Sequence, residues 1–235
     1  MRHLAPPCAV AVSGGADSLL TLLLLHEAGV PAAAFHGRFL PPNEDSQRRE
    51  EYLTALCAER GIPLTVLDLT ETFVRTVIQP FVRDYAAGRT PHPCASCNPA
   101  MKWGVLWEKA QALGATTLAT GHYARLQDGI LLRGVDPTKD QSYFLALVPQ
   151  ERLLHTRLPL GERTKAWVRA ELARRGIQPP EKRESQDICF VPGTYHDLMA
   201  AHGVPNAPGP IVLPDGTPLG THQGLWRLTI GQRRG

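Results

Sequence analysis

Short apolar runs alternate with longer, partly polar stretches over the first 120 residues of the chain. Runs at 8–12, 31–36, 63–69 and 116–120 have the length of buried strands. Between them, apolar residues spaced three and four apart predict helices over 16–28, 46–60, 71–85 and 100–113. Gly29, Gly61 and Gly114 stand where three of these helices should stop. Strands joined by helical crossovers predict an α/β fold with a doubly wound, mainly parallel sheet.

From about residue 128 the alternation changes. Residues 129–134 read as one arm of a hairpin, 165–175 as an amphipathic helix stopped by Gly176, and 188–191 as a short buried strand. Beyond Pro205 the chain is rich in Gly and Pro, with β-like runs at 210–213, 218–220 and 226–230. The expected organisation is an α/β domain over 1–127, its continuation as a small mixed α/β region over 128–203, and the start of a small β-rich domain over 204–235.

Composition narrows the class. Of 235 residues, 43% are hydrophobic and 20% charged, which excludes a disordered or fibrous chain. The net charge of +3 does not by itself announce a nucleic-acid binder, but its distribution is uneven. Residues 151–183 carry nine Arg and Lys against four Glu, whereas 43–84 carry five against eight acids. A basic face for an anionic partner and a solvated helix both fit that asymmetry. The apolar run at 19–25 is far shorter than the roughly 20 residues a membrane span needs, and the N-terminus has no signal-peptide pattern. Five cysteines in an odd, sparse set do not make a disulfide framework, so a cytoplasmic protein without membrane association is expected.

The strongest local signal is AVSGGADS at 11–18. A strand runs into Ser13, Gly14 and Gly15, and Asp17 and Ser18 open a helix. Paired glycines let the backbone approach a phosphate, and the helix N-terminus offers it partial positive charge. The G-x-x-x-x-G-K-[ST] pattern of γ-phosphate-transferring P-loops is absent. SGG-x-DS directly after a first strand resembles the pyrophosphate loop of the ATP pyrophosphatases, whose fold is adenine nucleotide α-hydrolase-like. That resemblance implies cleavage of ATP between its α- and β-phosphates and adenylation of a substrate. It places Ala11, Val12, Ser13, Gly14, Gly15, Ala16, Asp17 and Ser18 at the ATP, with Ser13 and Ser18 donating to phosphates and Asp17 helping to hold Mg²⁺.

A second segment, GRTPHPCASCNPAMKW at 88–103, sets Cys94 and Cys97 three apart in a Pro-punctuated loop entering a helix. Such a turn can aim two thiolates at one metal or at each other. ATGHYAR (119–125), KDQSYFL (139–145), SQDICFV (185–191) and LTIGQRRG (228–235) follow. In this order the motifs resemble the tRNA-specific 2-thiouridylases over essentially the whole chain.

What that resemblance implies is thiolation of the wobble uridine in the anticodon stem-loop of tRNA. The uridine O2 attacks the α-phosphate of ATP, pyrophosphate leaves, sulfur attacks C2, and AMP departs. A sulfur donor protein or sulfide is the implied second partner, and the target base must leave its stack to react. His36 matches an adenine contact where the family usually has Met, and Gly121 a further nucleotide contact. His92, Pro93, His122, Lys139, Asp140 and Gln141 match tRNA-facing positions. Arg133 and the basic helix 165–175 are candidates for tRNA phosphates. Cys97 aligns with the catalytic cysteine and Cys189 with the persulfide carrier, while Cys8 and Cys57 read as buried small hydrophobes.

Two departures stand out. Cys94 replaces an Asp of the better-known family form, and Cys94, Cys97 and Cys189 together resemble the three-thiol set of iron–sulfur-dependent tRNA thiolases. That set implies a [4Fe–4S] cluster with one open iron, beside the alternative of a two-cysteine persulfide route. The resemblance also implies a C-terminal β-barrel beyond the GQR-G motif, which these 235 residues do not include. Two rival functions remain: adenylation of a small molecule by another ATP pyrophosphatase, and a non-catalytic, RNA-binding sulfur or metal carrier.

Overall fold

The computed structural model describes residues 7–180, 188–191 and 193–233. It divides into two units, one of residues 1–72 and 94–184, the other of 73–93 and 185–235.

The first unit is built on five strands: β1 (Cys8–Ala11), β2 (Ala32–Arg38), β3 (Leu64–Asp68), β4 (Thr117–Ala119) and, after a hairpin of β5 (Ala124–Gln127) and β6 (Ile130–Arg133), β7 (Thr156–Arg157). The sheet order is β3-β2-β1-β4-β7 and every pairing is parallel. Val10 faces Ala34 of β2 on one side and Ala119 of β4 on the other. The chain therefore winds outward in both directions from β1, and the crevice beyond the C-terminal ends of β1 and β4 is the switch point where such sheets bind ligands.

Helix α1 (Ala16–Glu27) follows β1, and its Leu19, Leu20, Leu22 and Leu23 are all buried. A helix apolar on most of its faces must be covered on most of them. Val168 and Leu172, from a helix described below, join it in the core. Helix α2 (Glu44–Glu59) starts at a reciprocal Asn43–Ser46 cap and buries Leu53, Leu56 and Cys57 along one stripe. Cys8 and Cys57 lie in the core, and burial pushes both thiols up.

Helix α3 (Lys165–Arg174) is capped by the Thr164 side chain, which accepts from the Trp167 N–H. Two further helical runs, 70–86 and 93–112, contain wide π turns at Val74–Ile78 and Asn98–Leu106. Gly104 leaves helical geometry inside the second, and a Cβ there would stand 2.8 Å from the Pro99 carbonyl oxygen.

In the second unit the rings of Phe73 and Phe81 meet that of Phe190 edge to face. Tyr85 stacks on Tyr195, the first residue of α4 (Tyr195–Ala201), and buried Trp226 donates its indole N–H to the Pro205 carbonyl. β8 (Gly209–Val212) and β9 (Pro218–His222) form an antiparallel hairpin.

Three local expectations change. Residues 188–191 are a turn closed by Val191 N–H to the Ile188 carbonyl, because a four-residue apolar run carries no period of its own. Residues 226–230 begin in the short 3₁₀ turn Leu225–Arg227 rather than in a strand. Cys94 and Cys97 lie in the helical turn Pro93–Cys97, which Pro93 opens from a first-turn position where its missing N–H costs nothing.

Candidate active site

The phosphate loop is shaped by its own hydroxyls. Ser13 N–H donates to Ser18 Oγ at 3.1 Å, and Ser18 Oγ donates to the Gly15 carbonyl at 3.0 Å. Ser13 Oγ lies 3.2 Å from Ser18 Oγ and accepts weakly from Gly15 N–H. Gly14 has φ +85°, which an L side chain rarely adopts, and the methylenes of Arg49 lie over it. Gly15 is the N-cap of α1 with no side-chain capping bond, so the first-turn N–H groups of α1 open toward the crevice.

Of the three consecutive residues Gly121, His122 and Tyr123 after β4, the first and last tie this loop to its surroundings. Gly121 packs so closely on α1 that a Cβ would lie 2.8 Å from Asp17 C and 2.9 Å from Ser18 N. His122 turns the other way: its Nδ1 lies 2.8 Å from Thr120 Oγ1 and its Nε2 3.3 Å from Lys102 Nζ. An ammonium can only donate, so Nε2 accepts and the proton of the neutral ring sits on Nδ1. Burial, aided by the Lys102 charge, holds the imidazole well below its usual value of 6.5. The Tyr123 hydroxyl donates to Asp17 Oδ1 at 2.7 Å.

Asp17 is held further by Lys165, whose Nζ lies 2.7 Å and 2.8 Å from its two carboxylate oxygens. Both oxygens of Asp17 are thus engaged by donors of the chain itself. His36, at the end part of β2, is buried with Nδ1 2.8 Å from the Val12 carbonyl and Nε2 3.8 Å from Glu50. Arg38 clasps Glu50 through the Nε–Nη2 edge of its guanidinium and holds its carboxyl below the usual range.

The cysteine turn is anchored from its C-terminal side. Trp103 is buried, and its indole N–H donates to Thr156 Oγ1 at 2.7 Å. Asn98 Nδ2 donates to the Phe144 carbonyl, tying the turn to the 139–145 motif. Cys94 and Cys97 are half-buried, and burial raises the Cys94 thiol although the Lys102 charge opposes it. Cys189 belongs to the second unit, exposed in a turn whose Phe190 is buried. Among the described residues, no group of three or more His, Cys, Asp or Glu side chains is arranged to hold a metal ion. Ser185, Gln186 and Asp187 of SQDICFV, and Arg234 and Gly235 of the last motif, lie outside the described residues.

The expected tRNA-facing residues divide. Asp140 accepts from Gly134 N–H, Ser142 N–H, Ser142 Oγ and Arg133 Nε, and Gln141 Oε1 accepts from Tyr123 N–H. Both shape the loop. His122 is buried, Lys139 half-buried, and Arg133 largely exposed.

Residues 7–193 match the family described as tRNA methyl transferase HUP domain, and 198–235 the companion tRNA methyl transferase PRC-barrel domain. The chain is 50% identical to the tRNA-specific 2-thiouridylase MnmA of Nitratidesulfovibrio vulgaris strain DP4, over 97% of this chain and 67% of that protein. Identity to the proteins of the same name is 46% in Lawsonia intracellularis (97% and 66% covered) and 42% in Thermobifida fusca (96% and 64%). The chain belongs to the tRNA-specific 2-thiouridylase family. It spans about two thirds of the length of these relatives.

Within this thiouridylase frame, the structure brings His36 and Gly121 against the 11–18 loop. It also adds residues the motifs did not single out: Tyr123, Lys165 and Glu50 around the loop, and Lys102 beside His122. One signal was available for Lys165. A cation in the first turn of a helix opposes the helix dipole and asks for a reason. No helix among the described residues is long and apolar enough to cross a membrane.

Proposed function

We propose that the chain catalyses ATP-dependent 2-thiolation of a wobble uridine in tRNA through an adenylated uridine. The observation that carries this reading is the Ser13–Ser18 loop at the switch point, with the N-terminus of α1 open beside it and Gly121 packed against it. Loop N–H groups and the helix dipole suit the phosphates of a nucleotide. The family description names methyl transfer, but methyl transfer needs no phosphate loop. The relatives named as thiouridylases agree with the loop.

The chemistry runs in two steps. Uridine O2 attacks the α-phosphorus, and the bond to the β-phosphate oxygen breaks with release of pyrophosphate; Ser13, Ser18 and the first-turn N–H groups are placed for the charge that accumulates there. The terminal sulfur of a persulfide on Cys189 then attacks C2, and the C2–O2 bond breaks as AMP leaves. The Cys97 thiolate attacks Cys189 Sγ, releasing the thiouridine sulfur and leaving a Cys97–Cys189 disulfide. Two equivalents of an external thiol then reduce that disulfide to the two cysteines by exchange through a mixed disulfide and leave as their own disulfide. What supports these cysteine roles is the match of the CASC and SQDICFV motifs. Mg²⁺ bound with the nucleotide would offset the charge of its phosphates.

The test is ATP–pyrophosphate exchange with and without an unmodified tRNA transcript, followed by mass analysis of the wobble base. Exchange that requires tRNA, and a sulfur at C2 when a persulfide donor is added, are expected. Exchange independent of tRNA would favour a small-molecule substrate, and RNA binding without exchange would favour a carrier.

A further inference from the structure

Lys165 is buried, begins a helix whose dipole disfavours it, and has no part in the chemistry above. Besides its contacts with both oxygens of Asp17, its Nζ lies 5.8 Å from the centroid of the Tyr123 ring, over its face. The same ring, fully buried, ends in the hydroxyl that donates to Asp17 Oδ1. On the backbone side, Lys165 N–H donates to Oδ2 of buried Asp136 at 3.0 Å. Asp136 Oδ1 takes the Thr138 N–H at 3.0 Å and its hydroxyl at 2.7 Å. These bonds, that from Lys165 first, hold the Asp136 carboxyl below the usual carboxylate range. Two side chains far apart in sequence, Tyr123 and Lys165, thus converge on Asp17 in the first turn of α1, and Asp136 holds the backbone of one of them.

We propose that Tyr123, Lys165 and Asp136 are positioning residues for the phosphate loop. Asp136 fixes the start of α3, which aims Lys165. Lys165 and Tyr123 together clamp Asp17, and the chain's own ammonium supplies the counter-charge of that carboxylate. The inference rests on the nucleotide-site reading above. Burying an ion pair rarely adds net stability, because both ions lose water, so the use of this pair is geometric. It holds the first-turn N–H groups of α1 at one angle to an incoming phosphate, and Gly121 closes the other side. A divalent ion then arrives with the nucleotide rather than on Asp17.

Tyr123→Phe is the cleanest probe, since it keeps the buried ring and removes only the hydroxyl. ATP–pyrophosphate exchange and the binding of a non-hydrolysable ATP analogue with Mg²⁺ would be measured for Tyr123→Phe, Asp17→Asn and the double variant, with thermal melts to confirm folding. Each single change is expected to lower the exchange rate by about 10- to 100-fold. The double variant should be no slower than Asp17→Asn alone, because the hydroxyl acts only through the carboxylate. Asp136→Asn, which keeps the shape of the side chain, should fall in the same direction with the Mg²⁺ concentration for half-maximal exchange unchanged. Parental exchange rates in Tyr123→Phe, or losses that multiply in the double variant, would overturn the clamp. So would a Lys165→Met variant that needs less Mg²⁺, since the ammonium would then be competing with the metal for Asp17. An unsubstituted chain that binds no analogue would overturn the nucleotide site itself, and the clamp with it.

Discussion

At the scale of the residue, Gly121 and His122 show how one motif serves two purposes. A methyl at Gly121 would meet Asp17 C at 2.8 Å, Asp17 O at 2.9 Å and Ser18 N at 2.9 Å, all backbone atoms that cannot swing aside. Gly121→Ala is expected to cost about 1–3 kcal/mol of stability and to weaken nucleotide binding further by tilting α1. Gly220→Ala, at an exposed strand position with open space around it, is the control and should melt as the parent does. Equal melting temperatures for the two would show that the loop yields. His122 gives a pH test. Its folded value lies well below 6.5, so above that pH both states are neutral and it contributes no pH dependence. Below 6.5 the unfolded chain takes a proton that the folded chain refuses, and stability falls by up to about 1.4 kcal/mol per pH unit. The loss of stability between about pH 7.5 and about pH 5.5, read from urea unfolding, should therefore shrink in His122→Asn. An unchanged loss would mean that the ring titrates normally.

At the scale of the element, the wide turn Asn98–Leu106 and the short turn Pro93–Cys97 together decide what the cysteines can do. Positions 94 and 97 are three apart on a helix, so their side chains share a face. The two-cysteine route makes Cys94 dispensable. Cys97→Ser and Cys189→Ser are expected to lose thiolation and keep ATP binding, while Cys94→Ser keeps both. Thiolation and iron lost together in Cys94→Ser, prepared without oxygen, would restore the cluster reading. The large elements were legible because their signals are long and local: a strand entering SGG, an apolar α1, and glycines after helices. β7 was not, because two residues have no period, and its strand is defined by pairing with β4. Cys94 and Cys97 were read in a loop because Pro93 and Asn98 punctuate, yet a proline in the first turn opens a helix as readily as it ends one. Residues 188–191 carried apolar content but too few positions to tell a strand from a turn anchored by Phe190. Tyr123, Lys102 and Asp136 were illegible for a different reason: their roles are contacts between segments distant in sequence, with no spacing to betray them.

At the scale of the whole molecule, the sequence shows an excess of positive charge over 151–183, and the structure shows where part of it is spent. Arg175 is bound to Glu27 at 2.8 Å and 2.6 Å and also to Glu171, with its side chain only 11% exposed. Arg174 shares Glu171, Arg152 reaches Glu108 and Gln111, Arg163 lies over the Trp167 ring, and Lys165 is committed to Asp17. A guanidinium already paired inside the fold releases no counterions when RNA binds, so net charge overstates the basic face. Arg133 differs: its side chain is 76% exposed, and its bond to Asp140 is of the surface kind that contributes little. The salt dependence of tRNA affinity separates the two cases. Each phosphate contact contributes about 0.7–0.9 to the slope of log affinity against log salt. Arg133→Ala is expected to reduce that slope by about one such contact and leave the melting temperature near the parental value. Arg175→Ala should do the reverse, lowering the melting temperature because Glu27 and Glu171 lose their shared partner, with the slope unchanged. Filter-binding titrations at several salt concentrations, beside thermal melts of the same preparations, give both readings. A shallower slope for Arg175→Ala at parental stability would place α3, rather than the β5–β6 hairpin, against the phosphates.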